Sequence, residues 1–178
     1  SFYAESGGQI YDTGVMENDG FSADVTEVTK SHNVFIHKVK VTKGTVKKGD
    51  TVICKPDVPL RNMTAANHTA THLLHQALKD VLGDHVKQAG SAVTSDGLRF
   101  DFNHFQAMTG EEIAEVEAIV NDKISRFIYV TTRVMAIDDA MKEGATALFD
   151  EKYGDMVRIV SIGDYSKEFC GGTHVKNI

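Results

Sequence analysis

The period of the apolar positions changes near residue 60. Before it, short runs such as Val34-Phe35-Ile36-His37-Lys38-Val39-Lys40-Val41 alternate or cluster β-branched residues. Asn18-Asp19-Gly20, Lys43-Gly44 and Lys48-Gly49-Asp50 punctuate those runs with turn chemistry. Several short strands at this spacing predict a small β-barrel over residues 1–60. Pro56 and Pro59, the two prolines of the chain, mark the junction. From about Asn62 to Leu82 the period becomes helical, with Gly83 as the C-terminal cap. At roughly 100° per residue, Ala66, Ala70, Leu73, Leu74, Ala77, Leu78 and Val81 share one broad face. His68, His72 and His75 gather on the other. The spacing predicts a helix that buries one face in a core and presents histidines from the opposite side.

Strands follow near 85–94 and 97–103, joined through Asp96-Gly97, a strong hairpin signal. Thr109-Gly110-Glu111-Glu112 reads as a capping box, and Ile113, Val116, Ile119 and Val120 supply the stripe of the next helix. A strand near 127–135, a short helix near 138–143 and strands near 156–162 and 166–169 complete the pattern. The expected class is α+β: a small N-terminal β-barrel (1–60), then an antiparallel sheet packed with helices (61–178).

Composition narrows the picture. The 178 residues are 42% apolar, enough for a core. No run of about eighteen apolar residues is present to span a membrane. Two cysteines cannot build a disulfide framework, and Cys54, in Thr51-Val52-Ile53-Cys54, is expected as a small core residue. The opening Ser-Phe-Tyr-Ala-Glu lacks an initiator Met and a signal segment, which suggests a soluble, cytoplasmic piece of something longer. The net charge is −6 but unevenly spread. Residues 1–29 carry six acids and no Lys or Arg, whereas residues 30–61 carry eight Lys or Arg against Asp50 and Asp57. That basic stretch could meet a phosphate backbone, but charge alone favours the plainer reading of a solvated hairpin edge protected by lysines.

The chemistry concentrates in two short spacings about a hundred residues apart. His68 and His72 stand four apart on the expected helix, and Cys170 and His174 flank a Gly-Gly turn. Three imidazoles and a thiolate are the ligand types a tetrahedral zinc ion prefers. Each spacing alone is a weak signal, since helical histidines usually serve as ordinary polar residues. His75 shares the face but is expected in a supporting or solvent role. Thr69 follows His68, so the HExxH motif and its general base are absent, which excludes a zinc metalloprotease of that type. Near the N-terminus, Gly7-Gly8-Gln9 on its own reads as a turn preceding a strand.

Taken together, Phe2-Tyr3-Ala4-Glu5-Ser6-Gly7-Gly8-Gln9, Asn67-His68-Thr69-Ala70-Thr71-His72-Leu73-Leu74, Arg99-Phe100-Asp101-Phe102 and Cys170-Gly171-Gly172-Thr173-His174-Val175 resemble the editing domain of alanyl-tRNA synthetase. Free-standing editing proteins share much of the pattern, but the Ala4-Glu5-Ser6 context is closer to the synthetase. Tyr11 stands where the family is expected to carry glycine.

The resemblance implies a zinc-dependent hydrolase that cleaves the ester of tRNA(Ala) mischarged with serine or glycine. An alanine pocket cannot exclude glycine by size, nor strongly reject serine, so a second sieve is needed. It further implies zinc held by His68, His72, Cys170 and His174. Thr71 would bond the seryl hydroxyl, and Gln88 would position the aminoacyl group or water. Gly171 and Gly172 would bring backbone N–H groups to the developing oxyanion. Gly7, Gly8 and Gln9 would contact the terminal adenosine, and Arg99 and Asp101 would form a pair near the pocket. Expected partners are the tRNA(Ala) acceptor end and the remainder of an ATP-binding synthetase. The competing expectations are a non-catalytic, zinc-stabilised tRNA-binding module, a zinc hydrolase of small molecules, and the related threonyl-tRNA synthetase editing domain.

Overall fold

A computed structural model describes residues 1–147 and 154–178. Its N-terminal part is one antiparallel sheet built from β1 (Gly14–Asn18), β2 (Phe21–Ser31), β3 (Val34–Gly44) and β4 (Ile53–Pro56), in the order β3-β2-β1-β4. Asp19-Gly20 closes the first hairpin, with Asn18 paired to Phe21 and the Asn18 side chain accepting from the Gly20 N–H at 3.0 Å.

This sheet is open, and the expected barrel does not form. Closure would require β3 to pair with β4, yet β4 has four residues against eleven in β3. β3 is also exposed along almost its whole length, so no buried face pulls it round. The N-terminal segment covers the other strands instead: Phe2 and Ala4 pack with Val25 and Val28, and half-buried Cys54 borders the cluster.

Helix α1 (Val58–Leu82) begins four residues before the helical pattern becomes readable. Asp57 caps it by accepting from the Leu60 N–H at 3.1 Å, and Pro59 sits in the first turn, where its missing N–H costs nothing. Gly83 ends it. Two-faced burial is also corrected. Ala66 is exposed, whereas His68, His72 and His75 are as buried as Leu73 and Ala77. The histidine side is covered too, by the segment that follows the last strand.

Strands β5 (Gln88–Val93) and β6 (Leu98–Phe102) form the hairpin expected around Asp96-Gly97. Helix α2 (Gly110–Ser125) starts at the capping box, with Thr109 and Glu112 bonding reciprocally. Ala77, Leu78, Val86 and Val116 make the core between α1, α2 and this hairpin. Strand β7 (Val130–Ala136), α3 (Ile137–Lys142), β8 (Met156–Ile162) and β9 (Ser166–Phe169) follow. The last three strands form a separate antiparallel sheet, β7-β8-β9, so the second part carries two sheets rather than one. A third cluster, Ala140, Ala145, Val157, Ile159 and Phe169, fills its inner face. β9 lies against α1 and delivers the chain to the histidines. Among the described residues no helix is long and apolar enough to cross a membrane.

Candidate metal centre and its cavity

His68 and His72 are one helical turn apart on α1, with rings stacked at 5.4 Å. Cys170 leaves β9 and turns through Gly171-Gly172 so that His174 comes back toward the sulfur. The Nε2 atoms of His68 and His174 lie 3.4 and 3.3 Å from Cys170 Sγ. One ligand atom from each of the four residues falls within 4.8 Å of every other. Metal bonds of about 2.0–2.3 Å put tetrahedral zinc ligands roughly 3.5 Å apart. Among the described residues this is the one group of three or more metal-ligating side chains that converge in this way.

The reverse sides of the rings explain why Nε2 faces inward in all three. His68 Nδ1 donates to the side-chain oxygen of Gln9 at 2.6 Å, and that oxygen also accepts from the Thr173 N–H at 2.8 Å. His174 Nδ1 meets Thr69 Oγ1 at 3.2 Å; the Thr69 proton is committed to Ala65 O at 2.8 Å, so the hydroxyl accepts. His72 Nδ1 donates to Glu168 Oε2. With Nδ1 engaged on the outer side of each ring, Nε2 is the nitrogen turned toward the centre. His72 Nε2 is buried without a hydrogen-bond partner. An orphaned imidazole nitrogen facing a thiolate and two further imidazoles is the donor set a zinc ion satisfies.

The electrostatics agree. Burial pushes the Cys170 thiol up, but the hydrogen bonds from His174 and His68 and the neighbouring His72 ring outweigh it and bring its pKa down to about 3. Burial pulls His174 down to about 4. Burial opposes charge on His72 too, yet the Glu168 carboxylate and Cys170 raise it to about 10. Glu168, also buried, is held down at about 2 by the two histidines it faces. Without a metal the site therefore stores a proton on His72 between two anions.

Two glycine-dependent geometries assemble these parts. Gly7 and Gly8 both take positive φ, 58° and 81°, in a tight Ser6-to-Gln9 turn that aims Gln9 inward. A Cβ on Gly172 would run into the His68 ring and Gln9, so only glycine lets the turn pass there. Arg158 Nη1 clamps that turn by donating to Cys170 O at 2.7 Å and Gly172 O at 2.8 Å.

Above the centre lies a cavity of about 280 Å³, lined in part by Gly7, Thr71, His75, Gln88, Gly171 and Gly172. That volume is near the lower end for small-molecule sites, about 300–1,000 Å³. Gln9 is fully buried beneath it as the His68 clamp, and Gly8 packs against Ser91. The Gly172 N–H is directed at Cys170 Sγ at 3.4 Å. Arg99 and Asp101 pair with each other at 3.1 Å, largely exposed, on the face of β6 opposite the cavity-lining Phe100. Neither lines the cavity. Glu168, Thr69 and Arg158 were not among the residues expected at the site. An acid two residues before Cys170, and so on the same side of an extended strand, was the available signal for Glu168.

Residues 1–60 match the family described as tRNA synthetases class II (A), and residues 157–178 match the threonyl and alanyl tRNA synthetase second additional domain. The chain is 54% identical over 176 residues to the alanine–tRNA ligase of Thermoanaerobacter sp. (strain X514), covering 99% of this chain and 20% of that protein. The alanine–tRNA ligases of Carboxydothermus hydrogenoformans and Thermotoga maritima match at 53% and 51% over 177 residues, with the same coverage. The chain thus spans about a fifth of the length of these relatives.

Proposed function

We propose that this chain, which is similar along 99% of its length to one segment of alanine–tRNA ligases, is the proofreading part of such a ligase and hydrolyses the ester of tRNA(Ala) carrying serine or glycine. The observation that carries the reading is the convergence of His68, His72, Cys170 and His174 at the base of a small cavity that Thr71, His75 and Gln88 also line. A zinc ion held by those four would supply Lewis-acid chemistry at the ester.

The chain's own groups would do the rest. The cavity accepts the aminoacyl end, and Gln88 on its wall orients the carbonyl or the attacking water. Thr71 faces the amino-acid side chain. The Gly171 N–H is the remaining backbone donor of the turn for the developing oxyanion, since that of Gly172 is engaged by the sulfur. Gly7 borders the entrance and is assigned to the terminal adenosine; Gln9 and Gly8 would act by holding that border in shape. Arg99 and Asp101, outside the cavity, would meet substrate only along the acceptor strand.

A second reading has one observation in its favour. Four protein ligands fill a tetrahedral shell, as in structural zinc sites, which suits a tRNA-binding module that does no chemistry. Deacylation of seryl-tRNA(Ala) against alanyl-tRNA(Ala), with zinc assayed on the same sample, separates the two. Loss of serine with alanine spared supports the hydrolase. No hydrolysis at one zinc per chain supports the binding module.

A further inference from the structure

One buried polar atom at this site is not used by the metal centre. His75 lies one turn beyond Thr71 on α1, is 3% exposed and lines the same cavity. Its Nδ1 donates to Glu168 Oε1 at 2.9 Å. Its Nε2 is buried with no hydrogen-bond partner. With Nδ1 engaged by the carboxylate, Nε2 is the ring's remaining hydrogen-bonding atom. A buried acceptor left unpaired is costly and rare, and it needs a reason.

The neighbours define what would pair with it. Phe100 packs against the ring at 5.3 Å between centroids and fixes its plane from one side, while Glu168 fixes it through Nδ1. Thr71 Oγ1 spends its proton on Asn67 O at 3.0 Å. The cavity therefore offers Nε2 no donor from Thr71, the polar side chain one turn away. Position i and i+4 side chains on one helix face stand close enough for a single hydroxyl to touch both.

We infer that His75 is a specificity-determining residue whose Nε2 accepts the hydroxyl proton of a seryl group bound in this cavity. The inference rests on the editing reading above and assigns the recognition of serine within it. A methyl or a hydrogen in that position leaves Nε2 as unpaired as before, so alanyl and glycyl groups gain nothing from it. Thr71 stands alongside and bonds the same hydroxyl oxygen when its rotor leaves Asn67. His75 also braces Glu168, and hence His72, so a test must separate that positioning role from contact with serine.

The two nitrogens can be replaced separately. In His75→Asn the amide reproduces the Nδ1 donor to Glu168 and removes the Nε2 acceptor. In His75→Gln the amide reaches the Nε2 position and gives up the contact with Glu168. The readouts are zinc content, hydrolysis of seryl- and glycyl-tRNA(Ala), and binding of 3′-seryl- and 3′-glycylamino-3′-deoxyadenosine, which are stable amide analogues of the ester. His75→Asn is expected to keep its zinc, to lose about tenfold on the seryl ester and seryl analogue, and to handle the glycyl pair within about twofold of the native chain. His75→Gln is expected to recover part of the seryl preference. Equal losses on the seryl and glycyl compounds, or no loss on either, would overturn the assignment. If the native chain cleaves neither ester, the hydrolase reading fails, but the analogue-binding ratio still decides whether Nε2 recognises serine.

Discussion

Both carboxylate oxygens of the buried Glu168 are engaged by imidazole N–H groups, from His72 and His75. Replacing it by Gln keeps the volume and removes the charge. Glu168→Gln should weaken zinc binding about 10–100-fold while leaving all four ligands in place. Competition against a chelator of known affinity measures this, and an unchanged zinc affinity would count against the role given to Glu168. Protons should also move on metal binding. His72, with its pKa raised to about 10, holds a proton at pH 7 in the metal-free chain, whereas Cys170, lowered to about 3, and His174, lowered to about 4, have already lost theirs. Zinc must displace the His72 proton, so affinity falls as pH falls and at least one proton is released per zinc near pH 7. Calorimetry in buffers of different ionisation enthalpy counts it, and zero protons would contradict the assignment. The ligands themselves were legible because His-x-x-x-His on a helix and Cys-x-x-x-His around two glycines carry local geometry. Glu168, Thr69, Gln9 and Arg158 act across separations of 96, 105, 59 and 12 residues, through contacts that no local spacing encodes.

Among the elements, α1 carries the most consequence, since Thr71, His75 and two ligands ride on it. Its entry is fixed by Asp57, which caps the first turn, and by Arg61, which pairs with the buried Asp12 of the N-terminal segment. Asp57→Ala should cost about 1 kcal/mol of stability, read as a shift in the urea midpoint with the zinc stoichiometry unchanged. A loss of zinc in that variant would mean that the helix start positions the site more tightly than capping explains. The periodicity of α1 was readable from the chain, but its start was not, because a proline in the first turn resembles a breaker at the level of sequence. The faces were misjudged for a related reason. Histidines count as polar in a periodicity, and only the returning Cys170–His174 segment shows that this side is covered too. Strand β8 sits where its β-branched run puts it, Met156–Ile162, and the short β9, Ser166–Phe169, falls at the expected residues without such a run. The barrel did not form, because alternation predicts strands without saying whether the last pairs with the first.

On the scale of the whole chain, the three apolar clusters lie in the N-terminal sheet, around α1 and α2, and in the last sheet, each made of side chains other than the four ligands. Removing the metal should therefore leave the far-ultraviolet circular dichroism near its native value and lower the melting temperature by only a few degrees. A chain that unfolds completely on chelation would favour a structural zinc. The chain spans a fifth of its relatives, and its basic stretch, exposed along β3, is where the acceptor strand of a tRNA would find positive charge.

In the proposed centre, a zinc ion held by the four convergent side chains is what makes the cavity above it hydrolytic. Zinc titrated into metal-free chain, with release of serine from seryl-tRNA(Ala) followed at each addition, tests it most directly. The rate should start near the uncatalysed value, rise with zinc and stop rising at one equivalent. Full hydrolysis before any zinc is added, or one bound equivalent with none, would contradict it.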